Sequence, residues 1–190
     1  MSQCVPFESQ QIIMTDNTMK PFHPQRKSPR LQGYDYAQSG AYFVTICTRG
    51  RAHFFGEIID GAMALSDIGA IAQDELSRIS THWPHYVELD VSVVMPNHIH
   101  AILLFVGTAR LPSAGEDKHK RTDAQKGVPT LGRVIGSYKA GVTRRIHPVL
   151  PIWQSRDHDH VIRSEPDRDR IRHYVLNNPA RWQADTFYSA

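Results

Sequence analysis

Cysteine is almost missing from this chain: Cys4 and Cys47 are the two among 190 residues. So sparse a supply excludes a disulfide framework and a cysteine-ligated zinc site. Long apolar runs are missing too, since nothing approaches the ~20 consecutive apolar residues of a membrane span. The first twenty residues, with Gln10, Gln11, Asp16 and Asn17, lack the apolar stretch of a secretory signal. A reducing cytoplasm is therefore the expected compartment, with no membrane partner. Neither charge sign dominates: 22 Lys and Arg face 19 Asp and Glu, a net charge of +3. With a pI near 9.0 the balance leans mildly toward a polyanionic partner. There is no internal repeat, and the 41% hydrophobic content suits one domain with a substantial core.

Residues 1–32 read as a flexible basic arm, polar and proline-interrupted, carrying the cluster Arg26-Lys27-Ser28-Pro29-Arg30. A domain is expected over 33–183, followed by a tail at 184–190. Ala41 to Thr48 is rich in β-branched and aromatic residues and reads as a strand, with a short ribbon after it at Phe54 to Ile59. Ser66 caps a helix through about Thr81, with Ile68, Ile71, Ala72, Leu76 and Ile79 at helical spacing. Tyr86–Val94 and His98–Phe105 form an antiparallel pair across Met95-Pro96-Asn97. Residues 107–129 are poor in apolar side chains and read as a mobile loop inserted on the domain. A basic helix follows from Thr130 to about Ile146, with Leu131, Val134, Ile135, Tyr138, Val142 and Ile146 inward and Arg133, Lys139, Arg144 and Arg145 outward. After an extended segment around Trp153 and His160-Val161-Ile162, Ser164, Pro166 and Asp167 open a last helix that Asn178-Pro179 stops. Strand, helix, two strands, helix, strand, helix predicts an α+β fold with a ferredoxin-like antiparallel sheet and helices packed on it.

Chemistry concentrates in the run Val94-Met95-Pro96-Asn97-His98-Ile99-His100. A two-residue spacing on a strand puts both imidazoles on one face. That face continues as Ile102 and Leu104, and the opposite face reads Ile99, Ala101, Leu103 and Phe105. Apolar residues on both sides predict a central strand covered twice. Taken alone, His-x-His is either half of a metal site or a hydrogen-bonded pair at the end of a core strand. On the last helix, Tyr174 and Asn178 stand one turn apart beside Ile171 and Val175. By spacing alone they read as a core aromatic and a C-terminal cap. Combined with the histidines, the Asn178 amide oxygen makes a two-imidazole, one-oxygen set that suits Mg²⁺ or Mn²⁺ with open positions for phosphate oxygens.

The chain resembles the HUH single-tyrosine transposases, and among them the REP-associated tyrosine transposases. The matching segments are Leu31-Gln32-Gly33-Tyr34-Asp35-Tyr36, Gly40 to Thr48, Val94 to His100, Ser137-Tyr138-Lys139 with Thr143-Arg144-Arg145, Trp153-Gln154, His160-Val161-Ile162-Arg163, and Tyr174-Val175-Leu176-Asn177-Asn178-Pro179. They span about 30–183, leaving out the 107–129 loop. The resemblance implies the HUH endonuclease fold, His98 and His100 as the family's two histidines, Tyr174 as the nucleophile and Asn178 as the third metal ligand. Insertion-sequence relatives more often carry glutamine at that last position, and asparagine is the form of the REP-associated branch. One departure is Asp157-His158-Asp159-His160, where relatives usually have an aromatic pair and a glutamate.

The implied activity is a metal-dependent cleavage and rejoining of single-stranded, hairpin-flanking DNA through a covalent 5′-phosphotyrosine, with Mg²⁺ or Mn²⁺ as cofactor. Expected partners are single-stranded or hairpin DNA, with the chain acting as a monomer or homodimer in the nucleoid-bearing cytoplasm. Arg26, Lys27, Arg30, Lys139, Arg144, Arg145 and Arg163 are the candidate phosphate contacts. The alternative is a domesticated hairpin-binding protein that no longer moves DNA. A histidine-triad hydrolase would need a third alternating histidine where Ile102 stands, and a two-histidine phosphoesterase would need a second His-x-Thr/Ser motif that the sequence lacks.

Overall fold

A computed structural model describes residues 35–106, 129–146 and 151–188. The expected arm, with Arg26, Lys27 and Arg30, and the 107–129 loop apart from Pro129 lie outside the described residues. The elements run β1 (Gly40–Cys47), β2 (Gly56–Ile59), β3 (Ala62–Leu65), α1 (Asp67–Ser77), α2 (Ile79–His82), β4 (Val87–Met95), β5 (His98–Phe105), α3 (Leu131–Arg145), β6 (His158–Ile162) and α4 (Glu165–Asn177), then a 3₁₀ turn at Pro179–Ala184. Four strands form an antiparallel sheet in the order β4-β5-β1-β6. Setting the β2–β3 hairpin aside, that is the second, third, first and fourth strand along the chain, which is the ferredoxin-like arrangement the sequence predicts.

Alternation along β5 divides the core in two. Ile99, Ala101, Leu103 and Phe105 join Tyr42, Val44 and Ile46 of β1 beneath Ala72 and Leu76 of α1 and Leu131, Val134, Ile135, Tyr138 and Val142 of α3. Ile102 on the opposite face packs with Val91, Ile162, Ile171 and Val175, which brings α4 onto that side. Both faces are therefore covered, and His98 and His100, sharing the pleat of Ile102, must look toward α4. Each fully buried aliphatic side chain here contributes about 1.5–3 kcal/mol by leaving water. Ile102→Ala would cost about 2–5 kcal/mol and loosen the seat of α4.

One irregularity helps to dock that helix. Pairing between β4 and β5 slips between Leu89 and Val91, leaving Asp90 as the extra residue of a bulge. Its Oδ1 accepts from the Arg172 guanidinium of α4 at 3.1 Å. The helix starts are capped, as expected at Ser66 and Ser164 and also at Thr130: each accepts an amide N–H three residues on, from Gly69, Asp167 and Arg133 in turn. The predicted helix 66–81 instead breaks into α1 and α2 at Arg78, whose N–H bonds to Asp74 and Leu76 carbonyls. The ribbon after β1 becomes a separate hairpin whose turn residues Asp60 and Gly61 both have positive φ, 51° and 75°. That is the Asp-Gly type I′ pattern, which holds two short strands together at low strain.

Candidate active site

The site begins at the turn between β4 and β5. The Asn97 carbonyl accepts from the Thr48 N–H at 2.9 Å and from the Thr48 hydroxyl at 2.9 Å. Pro96 O accepts from the Phe55 N–H at 3.1 Å. With the turn pinned, Asn97 Oδ1 takes a hydrogen bond from His98 Nδ1 at 2.8 Å. On the neighbouring strand, Thr45 Oγ1 lies 2.9 Å from His100 Nδ1. Both Nδ1 atoms are thus engaged by protein oxygens, and the two Nε2 atoms face one another at 3.0 Å. Fixing one ring nitrogen so that the other is presented is how proteins orient metal-binding imidazoles. Both side chains are fully buried. Burial drives His98 down to about 4 and His100 down to about 3, so both are neutral at physiological pH. Neutral imidazole is the form that binds metals.

From α4, the Tyr174 hydroxyl reaches to 3.2 Å from His100 Nε2. One turn later Asn178 is buried, and its Nδ2 donates to Asp185 Oδ2. The same carboxylate oxygen accepts from the Tyr174 hydroxyl at 2.9 Å and stands 4.0 Å from His100 Nε2. Asp185 Oδ1 is held by the Phe187 N–H at 2.6 Å. Burial would raise the Asp185 carboxyl, but the donors Asn178, Phe187 N–H and Tyr174 outweigh it and keep the group below the usual carboxylate range. Tyr174 is pushed well above an ordinary phenol, first by burial and then by the Asp185 carboxylate at its hydroxyl.

Ligand atoms of His98, His100 and Asp185 all lie within 4.8 Å of one another, so the three could hold a metal ion. Asn178 Oδ1 is a buried oxygen with no hydrogen-bond partner among the described residues. Such an orphaned acceptor is costly unless something binds it. Two imidazoles whose Nε2 atoms converge, a carboxylate and an unsatisfied amide oxygen fit a divalent cation.

No family model matches the chain. A Haemophilus influenzae protein described as uncharacterized is 35% identical over 172 residues, covering 86% of this chain and 93% of its own length. The chain belongs to that protein's family. The solved structure of a REP-associated tyrosine transposase bound to a REP hairpin aligns with a TM-score of 0.53 over 80% of this chain and 73% of that one, at 19% identity. The chain is REP-associated tyrosine transposase-like in fold.

On this transposase-like frame the four expected site residues His98, His100, Tyr174 and Asn178 meet at one place. The expected phosphate contacts are scattered. Lys139 is tied down, with Nζ 2.5 Å from Asp157 and donating to Gln154 O at 2.9 Å. Arg145 lies 2.6 Å from Asp74 and 3.3 Å from Glu75. Those carboxylates already occupy the two cations, so both brace the α3 side of the fold. Arg144 and Arg163 are exposed and make no ion pair among the described residues. Arg163 follows the far end of β6, because His158, at the near end, pairs with Thr45 beside the histidines while Ile162 pairs with Ala41.

Asp185 and Phe187 fall in the stretch 184–190 that the sequence suggested was a tail. In the structure Phe187 packs its ring 4.9 Å from His98 and 5.8 Å from His100, and its carbonyl accepts from Asn97 Nδ2 at 3.0 Å. The segment is part of the site wall because the turn at Pro179–Ala184 doubles the chain back after α4. Trp182 anchors that turn, buried with its ring 5.9 Å from His98. The one available signal was the helix stop at Asn178-Pro179, which requires a reversal without saying where it leads.

Proposed function

We propose that the chain is a metal-dependent nickase and strand transferase for single-stranded DNA, acting through a covalent 5′-phosphotyrosine. The observation that carries this reading is the Tyr174 hydroxyl 3.2 Å from His100 Nε2, at the mouth of a buried imidazole pair. Mg²⁺ or Mn²⁺, held by His98 and His100 with Asn178 Oδ1 or Asp185, would neutralise charge on the phosphate oxygens during transfer. The protein's own groups do the rest. Asp185 aims the Tyr174 oxygen and is the carboxylate positioned to receive its proton. The tyrosine oxygen bonds to phosphorus as the bond from phosphorus to the 3′-oxygen breaks, and that oxygen takes a proton from water. Because the phosphotyrosine is still an ester, a 3′-hydroxyl can attack it and rejoin the strand. Thr45 and Asn97 hold the imidazoles in orientation throughout.

A protein that only binds hairpins would have no use for a nucleophile beside two neutral buried histidines. The transposase reading also implies work on DNA in the cytoplasm, with hairpin-flanking single strands as substrate. The test incubates the protein with a labelled hairpin bearing a single-stranded flank and Mg²⁺ or Mn²⁺. A protein–DNA adduct that survives a denaturing gel is expected, and it should vanish in Tyr174→Phe and in His98→Ala. An adduct formed by Tyr174→Phe sinks the nucleophile. Cleavage unaffected by EDTA sinks the metal.

A further inference from the structure

Beside Tyr174 lies a cavity of about 550 Å³, walled by Arg170, His173, Asn177 and Arg181 and reaching Asn178 and Asp185. A second cavity of about 640 Å³ lies across the Pro179–Ala184 turn, against Ile58, Asp60 and Gly61 of the β2–β3 hairpin. Both cavities share Arg181. This residue departs from helical geometry within the turn (φ −114°, ψ 19°) and immediately precedes the Trp182 anchor. Its backbone is thereby fixed, while its side chain is exposed and makes no ion pair or hydrogen bond among the described residues. Arg170, by contrast, is held by Asp167 at 2.6 Å. The carboxylate in the first cavity, Asp185, is engaged by Tyr174, Asn178 and the Phe187 N–H rather than by an arginine. Asn178, whose buried Oδ1 has no hydrogen-bond partner among the described residues, lines the same cavity.

We infer that these two cavities form one track for single-stranded DNA, with Arg181 clamping the phosphate next to the one that Tyr174 attacks. A guanidinium on a rigid turn between two nucleotide-sized hollows suits a phosphate contact without base readout. The carboxylate of Asp60 disfavours a further phosphate in the second hollow and leaves it to a base. This track rests on the function proposed above and names its substrate path, which runs along the turn after α4 and bypasses α3 and Arg163.

The test uses the full chain carrying Tyr174→Phe, so that binding is not complicated by covalent capture. Fluorescence anisotropy follows a labelled single-stranded oligonucleotide across a sodium chloride series. Adding Arg181→Gln should weaken binding about threefold to tenfold at low salt and reduce the slope of log K against log salt by about 0.7, the loss of one phosphate contact. Arg181→Lys keeps the charge and should keep the slope, which separates phosphate contact from a folding defect. Arg78→Gln, at the break between α1 and α2 in an ion pair with Asp74, should leave the slope alone. An unchanged slope in Arg181→Gln, or a slope lost in Arg163→Gln instead, overturns the track while leaving the proposed activity standing. A parent protein that binds no single strand overturns both.

Discussion

Two neutral imidazoles buried side by side make the protein sensitive to acid, and the effect has a calculable size. Unfolded, each histidine titrates near 6.5; folded, burial holds His98 to about 4 and His100 to about 3. A depressed folded value means the unfolded chain takes up protons first. The associated stability is complete above 6.5 and is lost as pH falls through the folded values. At about pH 5 the solution is about 1.5 units below the unfolded value while both folded imidazoles stay mostly neutral, which costs about 2 kcal/mol apiece at about 1.4 kcal/mol per unit. Urea unfolding in the presence of a chelator, at about pH 7.5 and about pH 5, measures this directly. His100→Gln is the comparator, since carboxylates common to both proteins cancel in the difference. The stability advantage of the parent over His100→Gln should shrink by about 2 kcal/mol between the two conditions. A difference that stays constant would refute the picture of a neutral, desolvated His100.

Other outcomes follow from neighbouring contacts. Thr45→Val keeps shape but removes the 2.9 Å partner of His100 Nδ1, and should weaken Mn²⁺ binding by calorimetry about 10–100-fold. Asp185→Asn removes the carboxylate that holds Tyr174 high, so a spectrophotometric titration should show the phenol ionising at lower pH. Gly69→Ala would set a methyl group 2.0 Å from the Phe55 carbonyl, lowering thermal stability by about 1–3 kcal/mol through overpacking. If the proposed site holds, Mn²⁺ should raise the melting temperature at neutral pH by binding the folded imidazole pair, and the gain should fade toward pH 4.

What the chain revealed before folding was whatever repeats locally. The alternation in His98–Phe105 reported a strand covered on both faces, and the cores on either side match it. Caps at Ser66 and Ser164 marked two helix starts. The i, i+4 pair Tyr174 and Asn178 could be matched to the histidines because each lay on a regular element whose facing is periodic. Asp185 could not, because its place depends on a chain reversal and on hydrogen bonds to residues far away in sequence. Lys139 and Arg145 show the same limit: helical spacing turned them outward, but only the fold brings Asp157, Asp74 and Glu75 to meet them.

The hydrogen bonds that close the site join residues far apart in the chain: 55 positions from Thr45 to His100, 74 from His100 to Tyr174 and 90 from Asn97 to Phe187. Contacts of such separation form late, after local helices and hairpins, because long loops must be closed first. Folding order therefore becomes a safeguard. A nascent or truncated chain ending before α4 contains both histidines and no tyrosine at their side, so the proposed capacity to cut a DNA strand would arrive only with the completed C-terminal turn.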